Sequence, residues 1–386
     1  MGLDTRSMLR ASNRIRVPQN HFRVFATADI GEAAIKRLRE RGYEVEVYPQ
    51  PEPPPKNVIV EKVRSGIDGL ITTLRDKIDA EIFEAGKDKL KVVAQYAVGF
   101  DNINRADANT YRIPFTNTAD VLTEATAEFA FFALADLTRR LWTGEQMVRE
   151  NTWGYWHPYL PFLGDEVTGK TIGILGTGRI GQAVIKKCIG FDMNILCYEA
   201  RGANEKLVRD VQYQMELRYG CGMQRERTSI KYFPLDEVLR QSDFISIHLP
   251  LLREGESDTP TYHLINERTL RMMKPTAYLV NTSRGLVVDE RALAKALKEK
   301  WIAGAALDVY ETEPLPPDSP LRDPEIEDRC RLYPHFASAA RITRLSPDPN
   351  LGMAGRCVQG LIDVLEQNYG GDVTRMPYVV NKEGFR

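Results

Sequence analysis

Six residues, Gly176-Thr177-Gly178-Arg179-Ile180-Gly181, follow the apolar run KTIGIL and open the segment RIGQAVIKKCIGF. A GxGxxG placed between a strand and a helix suits a pyrophosphate. Gly176 permits the tight turn, Gly178 lets backbone approach the anion, and Gly181 lets helix and strand pack closely. The helix then points its free amides and positive dipole end at the ligand. About twenty residues on, Glu199 ends the next apolar run, MNILCYE. A carboxylate there bonds ribose hydroxyls and repels a 2'-phosphate, so NAD is expected in preference to NADP. Arg201 tempers that expectation, because a nearby guanidinium can accept the phosphate.

Three further polar residues each follow a buried-looking run: Arg284 in NTSRGLVVDERAL, Glu313 in GAALDVYETEP and His335 in LYPHFASAA. Open α/β sheets place ligands at that end of their strands. Taken singly, each has a plainer reading, as a surface ion pair, a solvated loop or a structural histidine.

The elements that must position these residues come in two series. From Phe22 the runs FRVFATA, YEVEVY, DGLITTL and LKVVAQYA alternate with the helical stretches IGEAAIKRLRERG and AEIFEAGKDKL. That alternation predicts βαβ units around a parallel sheet. From Gly169 a second series of nearly continuous apolar strands predicts a sheet covered on both faces. The connecting segment TEATAEFAFFALADLTRRLWTGEQMVREN predicts a long helix that breaks or ends near Gly144, and GRCVQGLIDVLEQNYGG an amphipathic helix closed by its glycine pair. The fold class is therefore α/β, with two Rossmann-like, doubly wound domains and an active-site cleft between them. Residues 1–22 read as a tail. Residues 23–121 and 334–386 form a discontinuous substrate (catalytic) domain, and 122–333 the dinucleotide-binding domain. The polar stretch from Arg201 to Thr228 reads as a surface insertion.

The three polar segments, together with GTGRIG and YAVGFDNIN, resemble the signatures of the D-isomer-specific 2-hydroxyacid dehydrogenases, from about Phe22 to the C-terminal helix. VLTEATAEFAF and the WHP, FLG and VTGKTIGILGTGRIGQA segments are most similar to the glyoxylate and hydroxypyruvate reductases. The resemblance implies roles that the chemistry also requires. Arg284 binds the substrate carboxylate and polarises the carbonyl, His335 donates the proton, and Glu313 favours the imidazolium and fixes its ring. It further implies that Val98 and Gly99 cradle the carboxylate, that Leu74 and Tyr96 line the substrate pocket, and that Thr126, Pro250, Thr282 and Asp308 line the cofactor. The formate dehydrogenases of this fold carry Gln in the position of Glu313, so a Glu implies hydroxy-acid chemistry. Two departures stand out. Phe336-Ala337-Ser338-Ala339-Ala340 replaces a glycine-rich stretch after His335, and the loop REGESDTPT is lengthened.

Composition narrows the partners. Lys plus Arg number 52 and Asp plus Glu 53, a net charge of -1, which offers no field for nucleic acid or anionic lipid. No apolar run reaches the length of a membrane span, and the first residues lack a secretory core. Arg6, Arg10, Arg14 and Arg16 with Ser7 and Ser12 leave organelle targeting open beside a cytoplasmic location. Five cysteines without a CxxC pair fit buried thiols in a reducing compartment. No metal is expected. The partners implied are a small 2-keto or 2-hydroxy acid and a second copy of the chain, with Trp153 to Tyr159 as an aromatic interface candidate. The alternatives are a phosphite or phosphoglycerate dehydrogenase of the same fold and an NADH-sensing, corepressor-like binding protein.

Overall fold

The structure is a computed structural model that describes residues 21–159 and 163–386. The arginines and serines of the N-terminal tail, and Phe162, lie outside them. The chain falls into two compact units, Met1–Val121 with Arg341–Arg386, and Leu122–Ala340. The second boundary, read from the sequence before Pro334, thus falls after Ala340, and His335 groups with the second unit.

The first unit carries five parallel strands, β1 (Arg23–Ala26), β2 (Glu44–Val47), β3 (Gly69–Thr72), β4 (Val92–Gln95) and β5 (Phe115–Thr116), in the order β2-β1-β3-β4-β5. The central strands β3 and β4 are buried throughout, whereas the edge strand β2, with sequence EVEV, stays partly exposed. One core cluster joins Ile35 and Leu38 of the helix Glu32–Arg39 to Val358, Leu361 and Leu365 of the helix Met353–Leu365. A second joins Ile59 and Val63 to Ile82 and Phe83. Helices on both faces of a parallel sheet leave only the strand ends for ligands. The helix Met353–Leu365 stops before Gly370-Gly371, and the first left-handed residue after it is Gln367 at φ 53°, followed by Tyr369, Gly370 and Gly371. Leu365 is the last residue with a core face, and beyond it Glu366 turns out to Arg41 and Tyr43, each 3.1 Å away.

The second unit has seven parallel strands: β6 (Thr171–Leu175), β7 (Asn194–Tyr198), β8 (Ile230–Tyr232), β9 (Phe244–Ile247), β10 (Tyr278–Asn281), β11 (Gly304–Leu307) and β12 (Cys330–Leu332). Their order is β12-β11-β10-β9-β6-β7-β8. The order reverses between β6 and β9, the switch point at which such sheets bind dinucleotides. Apolar strands bury both faces: Leu279 and Leu307 meet Leu293 and Leu297 on one side, and Ile172 and Ile174 meet Leu134, Leu137 and Val184 on the other. Each such Leu or Ile contributes about 1.5–3 kcal/mol.

Two expectations change here. The long helix runs Thr123–Arg139 and breaks at Arg140, in the left-handed region at φ 53°, before a second helix, Leu141–Arg149, that contains Gly144. The break is fixed by contacts at Arg140 itself, whose guanidinium meets Asp328 at 2.8 Å while Trp142 N–H reaches Asp136. The stretch from Arg201 to Thr228 is no loose surface insertion. It holds a helix, Glu205–Gly220, capped by Asn204 and buried at Val211 and Met215. Parallel neighbours such as β7 and β8 require a crossover, and this helix is it. Four cysteines are buried free thiols, but Cys221, just past that helix, is exposed. Among the described residues no helix is long and apolar enough to cross a membrane.

Candidate active site

The glycine loop leaves β6 at the switch point. Gly176 has φ +94°, and a β-carbon there would run into the His248 backbone at the end of β9. Only glycine satisfies both demands. A β-carbon on Gly178 would meet open space, and one on Gly181 would overlap the Gly176 carbonyl. The helix Arg179–Gly190 starts at Gly178 with no side chain capping its first turn. Its leading amides are thus left for an anion. Arg179 is exposed and Ile180 packs against the core. Glu199, just beyond β7, accepts the Thr177 backbone N–H at 3.0 Å.

Other cofactor candidates surround the same strand ends. The Thr282 hydroxyl, after β10, is buried and has no hydrogen-bond partner among the described residues. An orphaned buried donor is costly and fits a ligand's acceptor. Exposed Pro250 has its carbonyl bonded by Thr261 at 2.6 Å, which ties off the lengthened REGESDTPT loop. Thr126 is buried in the helix Thr123–Arg139. With an uncapped helix end, an open cradle at Gly178 and an orphaned hydroxyl, these residues fit a dinucleotide.

The polar three follow β10, β11 and β12. His335 Nδ1 lies 2.7 Å from Glu313 Oε2, and the other oxygen of Glu313 accepts the Tyr310 N–H at 3.1 Å. Burial acts to raise the Glu313 carboxyl, but the bond to His335, its charge, the Tyr310 amide and the Arg284 charge outweigh it and hold the group below the ordinary range. Arg284 leaves a turn built on buried Asn281, whose amide reaches the Arg284 carbonyl at 2.9 Å. Asp308 spends both oxygens on the turn after His335, accepting from Phe336 and Ala337 N–H at 2.8 Å each. Burial pushes its carboxyl up, against the pull of those amides. Phe336 packs on Phe129 at 5.0 Å.

A brace between these loops escaped the sequence reading. Glu290 Oε1 accepts the Glu311 N–H at 2.6 Å, and Glu311 Oε1 accepts the Glu290 N–H at 3.0 Å. This exchange joins the segment of Arg284 to that of Glu313. Gly285 lies so close that a β-carbon would overlap the Tyr310 carbonyl. The Tyr310 hydroxyl then reaches the Tyr333 carbonyl at 2.8 Å, two residues before His335. The sequence signal for it is Gly285 beside Arg284, a glycine that no positive φ requires.

In the first unit, the loop after β4 has its carbonyls turned inward. Asn117 Nδ2 donates to the Val98 carbonyl at 2.8 Å and Gln95 Nε2 to that of Gly99 at 3.2 Å. Gln95 also donates to Asn102 at 2.7 Å, and Asn102 donates to the carbonyls of Thr73 and Asp76 on either side of exposed Leu74. One amide pair therefore ties together the two loops that carry Val98, Gly99 and Leu74. Tyr96 donates its hydroxyl to the Arg344 carbonyl at 2.8 Å.

A dinucleotide fold with a paired imidazole and carboxylate at the carboxyl ends of its strands is the equipment of an oxidoreductase acting on a CH–OH group with NAD or NADP. The chain belongs to the D-isomer-specific 2-hydroxyacid dehydrogenase family, whose NAD-binding domain matches residues 131–337 and whose catalytic domain matches residues 24–228. It is similar to the glyoxylate reductase of Korarchaeum cryptofilum, 46% identical over 83% of this chain and 88% of that one. The glyoxylate reductase of Thermococcus litoralis is 41% identical over 94% of this chain and 97% of its own. Among solved structures, an NADPH-dependent glyoxylate/hydroxypyruvate reductase from Sinorhizobium meliloti, in complex with citrate, is 26% identical with a TM-score of 0.71, covering 94% of this chain and 99% of that one.

Proposed function

We propose that the chain reduces a small 2-keto acid, glyoxylate or hydroxypyruvate, to the 2-hydroxy acid, with NADH as the preferred reductant. The observation that carries this reading is the 2.7 Å pair of His335 and Glu313. When bound, the nicotinamide supplies the hydride to the carbonyl carbon. Glu313 holds Nδ1 of His335, stabilises the imidazolium and leaves Nε2 to deliver the proton to the carbonyl oxygen. Arg284 binds the carboxylate with its planar fork and draws charge onto the oxygen. Asp308 anchors the His335 turn through two amides.

The Val98 and Gly99 amides complete the carboxylate site in this reading. The carbonyls that share their peptide planes, those of Ala97 and Val98, are bonded inward by the Thr118 N–H and by Asn117 at 2.8 Å each, which turns the Val98 and Gly99 N–H groups the other way, and among the described residues neither N–H has a backbone acceptor. Leu74 and Tyr96 border the substrate's side chain. Gly176, Gly178, Arg179, Ile180 and Gly181 would hold the pyrophosphate, Glu199 the adenosine ribose, and Thr126, Pro250 and Thr282 the rest of the cofactor.

The protein acts as a homodimer in the cytoplasm. Exposed Trp153, Tyr155, Trp156 and Tyr159 support a self-association surface, and five unpaired cysteines suit a reducing compartment. Sedimentation as a monomer at micromolar concentration would remove the dimer. The activity is tested by NADH oxidation at 340 nm with glyoxylate, hydroxypyruvate and pyruvate. Turnover lost in both Arg284→Ala and His335→Ala supports the reading. Silence with every keto acid, together with NAD reduction by phosphite or phosphoglycerate, replaces it.

A further inference from the structure

Glu199 is not alone at the end of β7. Tyr232, the last residue of β8, donates its phenolic proton to Thr177 Oγ1 at 2.9 Å. Thr177 Oγ1 in turn donates to Glu199 Oε2 at 3.3 Å, the same oxygen that takes the Thr177 backbone N–H at 3.0 Å. A hydroxyl has one proton to give. With Tyr232 donating into it, the proton of Thr177 is committed to the carboxylate. Burial raises the Tyr232 phenol above its ordinary range, so it stays a protonated donor at neutral pH.

We propose that Tyr232 and Thr177 form a hydroxyl relay that orients Glu199, and that both are specificity-determining residues for NADH over NADPH. The inference rests on the reading of Glu199 as the ribose acid. Thr177 occupies a variable position of the GxGxxG, and Tyr232 comes from a different strand, so neither is required by the loop's turn geometry. Both donors of Thr177 fall on Oε2, which leaves Oε1 as the acceptor for a ribose hydroxyl. A fixed carboxylate meets the doubly charged 2'-phosphate of NADPH with full repulsion. A carboxylate freed to rotate can turn aside, bond the ribose less well, and leave the phosphate to exposed Arg201. Loosening the relay thus weakens NADH binding and relaxes the exclusion of NADPH together.

The test measures equilibrium dissociation constants of NADH and of NADPH, by quenching of intrinsic fluorescence, on the full chain and its variants. The ratio of NADPH to NADH dissociation constants is expected to fall about tenfold in Tyr232→Phe and in Thr177→Val, the weight of one hydrogen bond to a charged group. Thr177→Ser, which keeps the hydroxyl, restores it, and Glu199→Gln lowers the ratio further. Far-UV circular dichroism establishes that each variant is folded; if Tyr232→Phe is not, the contrast between Thr177→Val and Thr177→Ser carries the test. An unchanged ratio in the relay variants beside a fallen ratio in Glu199→Gln overturns the relay alone. An unchanged ratio in Glu199→Gln overturns the ribose-acid reading and the relay with it.

Discussion

His335 and Glu313 stand 2.7 Å apart although 22 residues separate them, and Glu313 is itself pinned by the Tyr310 N–H at 3.1 Å. The imidazole is therefore oriented by a carboxylate that cannot itself swing freely.

The Glu313 charge should be visible in the pH profile. Glu313→Gln keeps a hydrogen-bond acceptor but loses the carboxylate, so the acid limb of the reductive rate that follows protonation of Glu313, below the ordinary carboxylate range, should flatten in the variant. Glu313→Ala lowers kcat/KM by about a hundredfold. The same titration bears on stability. The Glu313 carboxyl is depressed in the folded protein, so its contribution is present above the ordinary carboxylate range and lost as pH falls through the lowered value. Thermal melts of native protein and Glu313→Gln between neutral and acid pH should converge as the pH drops.

The brace joining the Arg284 and Glu313 loops yields a second expectation. Gly285→Ala forces a β-carbon against the Tyr310 carbonyl and should cost about 1–3 kcal/mol of stability. Glu290→Ala leaves the Glu311 N–H without its acceptor. Its kcat should fall at least tenfold while NADH affinity, set by the glycine loop, stays unchanged. A proportional loss of NADH binding would mean that the brace supports the whole unit rather than the catalytic loops.

In the first unit, Asn102→Ala removes the amide that ties the Thr73 and Asp76 carbonyls to Gln95. The KM for the keto acid should rise about tenfold, the cost of one broken buried network, with the NADH dissociation constant unmoved. Gln95→Leu, which also frees the Gly99 carbonyl, should raise KM at least as much. Steady-state kinetics with fluorescence titration separates the two quantities; a fall in kcat at constant KM would contradict the positioning role.

The sequence by itself determined the two parallel-sheet series, the glycine loop with Glu199 at the next strand end, and the order Arg284, Glu313, His335. These are legible because strand periodicity, turn chemistry and family signatures are local properties of the chain. It misplaced the helix break, since Arg140 takes its left-handed turn through Asp328, a contact across 188 residues. It also read the stretch after Arg201 as an insertion, because a polar crossover helix with only Val211 and Met215 buried has too weak an apolar period to announce itself. Only the tertiary structure decided which polar groups pair: Glu290 with Glu311, Gln95 with Asn102, Tyr232 with Thr177. Hydrogen bonds between distant segments depend on angstrom-scale placement of strand ends, and no spacing along the chain encodes it.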